Sequence, residues 1–444
     1  MDHNGPQWTT MDHNVPQWTT MDHNGPQKGV KGNLADEVLE CLSMVDSSEF
    51  VQDFSKRKGK MPNIVCYTEN QRKDLLFFLS QKSGNAIGVD RTFNLGVFYV
   101  TALVYKNLRV VHKGNESEHP LCIGPIMIHR DATFHDYNYF FATIKSSLVS
   151  NNPVDCFEIR LGKDMLIGSD EEKALINAIE SNFPASEQFL CTKHLKDGTK
   201  GYMQAKVGVP QKDRKIISEK IFGENGLVNA DNTADFDARS KKILKDVVKY
   251  PKFATYFKKK LKPTVENFVT DPSRRTKSTT TWTNNNCESL NHIMKIDADW
   301  KVKTTPALIE MIHEMTQLHF KDLKRALYGE GNYRLFGKYK KYEIKSTIWM
   351  SLTKEQREKK FSDFLENKKF PKKIEEDKVK SSYSNFVIPA LKTARKPGQR
   401  TRPKATKTKN NSGAKKIIKW KAKELRKKLL SLPSDSDEDS KGYN

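Results

Sequence analysis

The spacing of apolar residues changes along the chain, and these changes predict a succession of strands and helices. Three runs rich in β-branched and aromatic residues are separated by turn residues at Gly96 and at 113–115, which is the pattern of consecutive strands. Three consecutive strands can form an antiparallel meander. The predicted strands cover residues 85–93, 97–105 and 121–129.

Helices and strands alternate after this meander. We predict a helix at 136–149, a strand at 165–167, a helix at 171–181 and a strand at 188–191. Because strands joined through helices can lie parallel, the whole pattern predicts a mixed α/β sheet.

Helical periodicity dominates on both sides of this region. It predicts a short helix over 34–57, a strand followed by a helix over 63–79, and basic helices from 205 to 270. A densely charged stretch of mixed sign at 354–378 is typical of a solvated helix. A long helix is predicted at 305–328, with an apolar side formed by Leu308, Ile309, Ile312, Met315 and Leu318.

The two ends of the chain are polar. The first thirty residues repeat a ten-residue unit whose Asp-His pair could bind a metal loosely, but the unit cannot bury a core and we favour a disordered tail. Beyond Lys392 we expect no fixed structure except in one basic amphipathic stretch, and the last residues are acidic and rich in serine.

The net charge of the chain narrows the class of molecule that it is expected to bind. The formal net charge is +23, and residues 392–430 hold 16 Lys or Arg against one acid, so we expect a polyanion, most plausibly nucleic acid. The tail should bind it without sequence preference, and it could also be a nuclear localisation signal or only a solvated linker. The basic residues singled out are Lys258, Lys259, Lys260, Lys415, Lys416, Arg426, Lys427 and Lys428.

The cysteines, the longest apolar runs and the N-terminal sequence indicate the cellular compartment. The six cysteines are scattered without a Cys-x-x-Cys pair, which is typical of a reducing compartment. The chain has neither an apolar run of the roughly 18 residues that a membrane helix needs nor a signal-peptide pattern. We therefore expect a soluble nuclear protein without a membrane partner or a small-molecule substrate.

Three carboxylates stand in contexts that suit metal ligands, and each also has an ordinary structural explanation. Asp90 is predicted near the end of the first strand, just before a polar turn, and could serve simply to start the turn toward Asn94 and Gly96. Asp170 could belong to a capping box begun by Ser169, and Glu288 could lie in the first turn of a helix capped by Asn285. Two divalent cations held by such carboxylates can cut and rejoin a nucleic-acid backbone.

Cys191 and His194 form a Cys-x-x-His pair between the second and third carboxylates. A structural zinc site needs four ligands, and no second pair is evident, so we do not expect zinc. The sequence also has no Gly-rich nucleotide loop and no His-Glu-x-x-His motif.

The order of these motifs is more informative than any one of them. The blocks Gly88-Val89-Asp90-Arg91-Thr92-Phe93, Ile167-Gly168-Ser169-Asp170, Cys191-Thr192-Lys193-His194 and Asn285-Asn286-Cys287-Glu288-Ser289-Leu290-Asn291 resemble, in sequence and order, the transposases of Mutator-like elements. The resemblance covers about residues 60–330.

The resemblance implies a ribonuclease H-like α/β core, with a mixed sheet and a helical insertion before the last acidic residue. It implies that Asp90, Asp170 and Glu288 form the acidic triad, and that Cys191 and His194 are the family's Cys-x-x-His motif. The implied reaction is transfer at DNA phosphodiester bonds with two Mg²⁺ or Mn²⁺ ions. That the chain forms a homo-oligomer is suggested only by analogy with this family.

The resemblance also completes the predicted division of the chain. In chain order, the segments are disordered repeats at 1–33, a short helix and linker at 34–62, the first part of the catalytic core at 63–204, a basic helical insertion at 205–274, the end of the core at 275–330, a charged helical region at 331–391 and a disordered basic tail with an acidic end at 392–444.

The chain departs from the family outside this core, because the zinc-binding modules that members often carry have no counterpart in its sequence. Two alternatives to an active transposase therefore stay open. One is a transposase-derived DNA-binding protein without catalysis, and the other is a basic chromatin-associated scaffold around an ordinary α/β domain.

Overall fold

The computed structural model describes residues 33–58, 60–79, 86–149, 165–276 and 282–368. The predicted N-terminal repeats, apart from Asn33, and the whole basic tail lie outside these residues. Within the described ranges, every helix is too short or too polar to cross a lipid bilayer.

A mixed seven-stranded sheet lies at the centre of the fold, in the order β1-β2-β6-β4-β3-β7-β8. The pairs from β1 to β3 in this order are all antiparallel, whereas β3 pairs in parallel with β7, and β7 pairs in parallel with β8. Two further short strands, β5 and β9, pair separately. The strands are β1 Val51–Ser55, β2 Asn63–Cys66, β3 Ile87–Thr92, β4 Tyr99–Lys106, β5 Val110–His112, β6 Leu121–His129, β7 Leu166–Ser169, β8 Glu187–Leu190 and β9 Tyr333–Leu335. The predicted α/β class is confirmed, and the sheet is compatible with a ribonuclease H-like fold.

Helices cover both faces of the sheet and build two attached regions. They are α1 Leu34–Ser47, α2 Glu69–Leu79, α3 Phe134–Val149, α4 Lys173–Asn182, α5 Thr192–Tyr202, α6 Gln211–Phe222, α7 Thr233–Asp246, α8 Pro251–Tyr256, α9 Lys262–Val265, α10 Asp271–Thr276, α11 Asn285–Asp297, α12 Thr305–Ala326, α13 Ser346–Ser351 and α14 Lys354–Leu365. π-helical segments at Phe257–Leu261 and Glu266–Thr270 join α8, α9 and α10 into one continuous helical run.

Strand alternation divides the core into two layers. In β2, Ile64 and Cys66 belong to the apolar cluster on one face, whereas Val65 belongs to the cluster on the other. Helices α1, α11 and α12 cover the first face, and α2, α3 and α4 cover the second. Because α11 packs on the first face, its first turn is held close to the sheet.

The helices from α5 to α10 form a region with its own apolar core, which includes Phe236, Phe253 and Phe257. The predicted basic helical insertion, 205–274, lies within this region, which begins earlier, at Thr192. It lies in the chain between β8 and α11, so it separates the last strand of the sheet from the helix that carries Glu288.

A fourth apolar cluster joins the C-terminal half of α12 to α13, α14 and the β5–β9 pair. At its centre, the buried Arg109 forms an ion pair with Asp74 and donates a hydrogen bond to the carbonyl of Leu365 across 2.6 Å. The guanidinium also lies 3.6 Å from the centre of the Phe77 ring. The charged region after residue 331 is therefore packed against the core through α14.

Two sequence predictions were wrong in detail. The first helix ends at Ser47, not at 57, because the chain turns to place Val51–Ser55 as an edge strand beside β2. In α12, Leu318 is 50% exposed, and the apolar side continues through Phe320 and Leu323 instead. The helix reaches past the sheet at this point, and these two side chains pack in the fourth cluster.

Candidate active site

Asp90 lies in the second half of β3, beside Asp170, which directly follows the neighbouring parallel strand β7. Strands β3 and β7 pair in register through Val89 and Ser169, so the next residue on each strand is one of the two aspartates. Ends of parallel strands that share an edge bring their side chains to one place on the sheet. The topology therefore brings together two carboxylates that the sequence holds far apart.

The Asp90 carboxylate is held by two hydrogen bonds. The backbone N–H of Arg91 donates to its Oδ1 across 2.9 Å, and the side-chain amide of Asn291 donates to its Oδ2 across 2.7 Å. Burial and, next, the negative charge of Asp170 raise the pKa of Asp90 to about 7. The Glu288 carboxylate adds to this repulsion. The carboxylates therefore lie near enough for one to disfavour ionisation of another.

Glu288 lies in the first turn of α11, and two glycines let the start of this helix and the residues before it approach the sheet. A Cβ at Gly88 would lie 2.4 Å from Sγ of Cys287, and one at Gly168 would lie 2.1 Å from the ring of Trp282. Only a residue without a side chain permits this packing, so the two glycines determine where Glu288 lies.

His194 connects two of the carboxylates. Its Nδ1 lies 2.6 Å from Oδ1 of Asp170, and its Nε2 lies 3.5 Å from Oε1 of Glu288. Burial alone would lower the pKa of His194, but hydrogen bonds with Asp170 and Cys191 outweigh it and raise the pKa to about 11. The ring is therefore cationic near neutral pH. The Nζ of Lys193 donates to Oε2 of Glu288 across 3.0 Å, which adds a second positive charge.

Two overlapping sets of ligands lie here, and among the described residues only the set that contains Asp170, Cys191 and His194 is compact enough to share one ion as it stands. The carboxylates of Asp90, Asp170 and Glu288 offer the hard oxygen ligands that Mg²⁺ and Mn²⁺ prefer. Ligand atoms of Asp170, Cys191 and His194 lie within 4.8 Å of one another, and this set is softer. Asp170 belongs to both sets, so its carboxylate lies at the centre of any metal chemistry at this position.

An amide beside Asp170 favours the hard-cation set. Asn284 is fully buried and donates from Nδ2 to Oδ1 of Asp170 across 3.3 Å, while its Oδ1 has no hydrogen-bond partner among the described residues. A buried amide oxygen without a donor is costly, and amide oxygens are ligands of hard cations. The residues present therefore fit a divalent cation such as Mg²⁺ or Mn²⁺.

The capping interpretations of Asp170 and Glu288 were wrong. Helix α4 begins only at Lys173, its N-cap is Glu172 without a side-chain cap bond, and Ser169 does not cap it. The N-cap of α11 is Asn284, not Asn285, and its side chain also makes no cap bond. Contacts with distant residues replace local helix capping, because the side chain of Asn284 donates to Asp170 and does not cap α11.

Sequence reasoning missed the residues that position the carboxylates. Asn291 lies three residues after Glu288, so both fall on one face of α11, and this spacing could have found it. No comparable pattern indicated Asn284 or Lys193. His292, four residues after Glu288, packs its ring edge-on against Trp300 at 5.4 Å, away from the carboxylates.

The predicted nucleic-acid-binding lysines of the insertion lie in the π-helical segment Phe257–Leu261. Lys258 and Lys259 are exposed, whereas Lys260 is half-buried and pairs with Glu171 at 3.1 Å. Glu171 directly follows Asp170, so this ion pair ties the insertion to the rim of the carboxylate cluster.

Comparison with known proteins adds no family to this geometry. No protein-family model matches the chain, and a search among curated proteins finds no match either. The functional conclusion therefore depends on the positions of the side chains described above.

Proposed function

We propose that this chain is a DNA transposase-like enzyme that cleaves and rejoins phosphodiester bonds with two divalent cations. Asp90, Asp170 and Glu288 would hold the cations. One observation carries the proposal: Asp90 in β3 lies beside Asp170, which directly follows the parallel strand β7, and His194 joins Asp170 to the glutamate of a helix packed on the same sheet.

The order of elements supports a ribonuclease H-like core of the kind that the resemblance implies. Three antiparallel strands, β3, β4 and β6, are followed by α3, β7, α4 and β8 in turn. The insertion then precedes the helix that bears the last acidic residue. The order matches the expected one, so the finer fold assignment is part of the same proposal.

The side chains have separable tasks in this reaction. When bound, two Mg²⁺ or Mn²⁺ ions would supply Lewis-acid activation of the attacking oxygen and stabilise the departing one. The amide of Asn291 holds Oδ2 of Asp90 in place, so this carboxylate is oriented before a cation binds. Because the pKa of Asp90 is about 7, its carboxyl is partly protonated near neutral pH and would have to lose that proton to hold a cation.

A specific observation favours a second candidate, a DNA-binding protein without catalysis. Lys193 and His194 already neutralise part of the charge of Glu288 and Asp170 through ion pairs at 3.0 and 2.6 Å. Such pairs can hold a carboxylate cluster together without a metal. The two candidates share the partner, DNA, and differ in whether a cation replaces these pairs.

Metal binding and DNA cleavage by the purified full-length chain separate them. We expect saturable Mn²⁺ binding by calorimetry, and Mn²⁺- or Mg²⁺-dependent nicking of labelled duplex DNA carrying any inverted repeats that flank the gene. Asp90→Asn, Asp170→Asn and Glu288→Gln should abolish both signals, whereas Asp237→Asn in the insertion should leave both unchanged. DNA binding with neither Mn²⁺ uptake nor nicking would instead establish the second candidate.

A further inference from the structure

A basic cleft lies between the C-terminal end of α12 and helices α13 and α14, and the proposed chemistry does not use it. Its volume is about 330 Å³. Five cations line it against one carboxylate. They are Lys321, Lys324, Arg325, Lys354 and Arg357, with Glu358 as the acid.

Only part of this charge is neutralised by the protein. Lys324 forms an ion pair with Glu358, and Arg325 pairs with Asp322 at 3.3 Å. Lys321 and Lys354 make no ion pair with any residue in the described part of the chain. Like charges gathered around a concave surface repel one another and raise the local concentration of anions. The cleft is therefore prepared for an anionic ligand.

The third unneutralised cation is fixed in position. Arg357 donates from Nε to the carbonyl of Trp349 across 3.0 Å and from Nη2 to the carbonyl of Met350 across 2.8 Å. The guanidinium is thus held by backbone oxygens, which leave its charge uncompensated. A planar guanidinium held in one orientation suits phosphate oxygens.

An aromatic pair completes the wall of the cleft. The half-buried ring of Tyr328 stacks on the buried Trp349, with ring centres 4.9 Å apart and planes 17° apart. An acidic peptide would use the cations alone, whereas a nucleic-acid strand offers phosphates for the cations and a sugar or base for the ring.

We propose that this basic cleft binds the phosphodiester backbone of DNA at a second site, away from the carboxylate cluster. His319 lies on α12 just before the cleft and contacts Cys122 at the start of β6. The start of β6 lies at the end of the sheet where β3 begins. Asp90 and Asp170 lie toward the opposite edge, where β3 and β7 end. The cleft therefore holds flanking DNA, not the bond that reacts.

The test compares charge reversals in the full-length chain. The cleft variant combines Lys321→Glu with Lys354→Glu. The control variant combines Lys340→Glu with Lys359→Glu, which reverses the charge of two exposed lysines in the same region that do not line the cleft. Fluorescence anisotropy with a labelled duplex at a series of NaCl concentrations measures the salt slope. Two lost phosphate contacts should make the slope shallower by about 2 in the cleft variant.

The control pair should keep a steeper slope than the cleft pair, and thermal unfolding verifies that both variants fold. Lys321→Gln with Lys354→Gln should change the slope in the same direction and serves if the reversal does not fold. Equal slopes for cleft and control variants would overturn the inference. Cation-dependent nicking by wild type is measured separately from the slopes of these variants, so failure of the proposed catalysis and failure of this second site give different results.

Discussion

The side-chain amide of Asn291 donates a hydrogen bond to Oδ2 of Asp90 across 2.7 Å, although 201 residues separate them in the chain. This bond joins α11 directly to β3. The same helix carries Glu288, so one docking event positions the glutamate and orients the aspartate. The arrangement explains why the site depends on the close approach of α11 to the sheet.

Replacing Asp90 should stabilise the protein at neutral and higher pH when no metal is present. An unfolded aspartate titrates near 4, whereas the folded pKa of Asp90 is about 7. Stability from this group is fully present below the unfolded pKa and is lost as pH rises through the folded one. We expect Asp90→Asn to gain on the order of 1–3 kcal/mol over wild type near pH 8, and little near pH 4.

Urea unfolding at both pH values measures this difference, with Asp237→Asn, an exposed aspartate in the insertion, as the control. A pH-independent effect of Asp90→Asn would contradict the expectation. Added Mn²⁺ should reverse the order, because only wild type would then gain from binding.

Replacing His194 should strengthen divalent-cation binding. The protonated ring pairs with both Asp170 and Glu288 and so competes with any cation for them. Removing one nearby positive charge should raise the affinity of His194→Gln for Mn²⁺ by roughly tenfold, on the scale of a Coulomb term at a partly buried site. Calorimetric titration measures it, with His313→Gln, which removes a pair with Glu49, as the control.

Weaker Mn²⁺ binding by His194→Gln would contradict the expectation that His194 competes with the cation. It would make His194 a ligand, together with Asp170 and Cys191, whose ligand atoms lie within reach of one ion.

A methyl group at Gly88 should destabilise the fold through one contact. A Cβ there would meet Sγ of Cys287 at 2.4 Å, and overpacking of this kind costs about 1–3 kcal/mol. The double variant Gly88→Ala with Cys287→Ala removes the sulfur and should show a favourable coupling of about 0.5–3 kcal/mol. Urea unfolding of the two single variants and the double variant measures this coupling.

Gly198→Ala is the matched control, because a Cβ at this helical position has open space around it. It should be neutral or stabilising by about 0.5–1 kcal/mol. If the two alanine substitutions had equal effects, the contact with Cys287 would not be the cause.

Breaking the buried ion pair beneath α14 should be costly. Asp74→Ala leaves Arg109 charged and buried without its carboxylate, at an expected cost of about 3–5 kcal/mol. The double variant Asp74→Leu with Arg109→Met should recover much of this loss because no unpaired charge remains. Chemical denaturation checks both.

Asp246→Ala, which removes the surface pair with Lys220, is the comparison and should cost at most about 1 kcal/mol. If Asp74→Ala were as mild as Asp246→Ala, the packing of α14 would not depend on the Arg109–Asp74 pair.

Local patterns predicted much of the sheet but less of the site. A continuous apolar run predicted the strand Leu121–His129 with the bounds that the structure has. Asp170 directly follows its strand, as predicted, whereas Asp90 lies inside β3 and not at its end, because pairing with β4 extends the strand to Thr92. The two aspartates meet once β3 and β7 pair in parallel. The site contacts of Asn284 could not be predicted, because a helix cap and a distant carboxylate compete for it and the carboxylate lies 114 residues away. The strand Val51–Ser55 was missed because pairing with β2 decided its conformation.

The late position of α11 in the chain has a consequence for biosynthesis. During translation, the ribosome releases both aspartates and the whole insertion before the helix whose Cys287 covers Gly88. Until that helix emerges, one apolar face of the nascent sheet stays open to chaperones and to aggregation. A product that stopped short of this helix would leave uncovered the part of that face on which α11 and α12 pack.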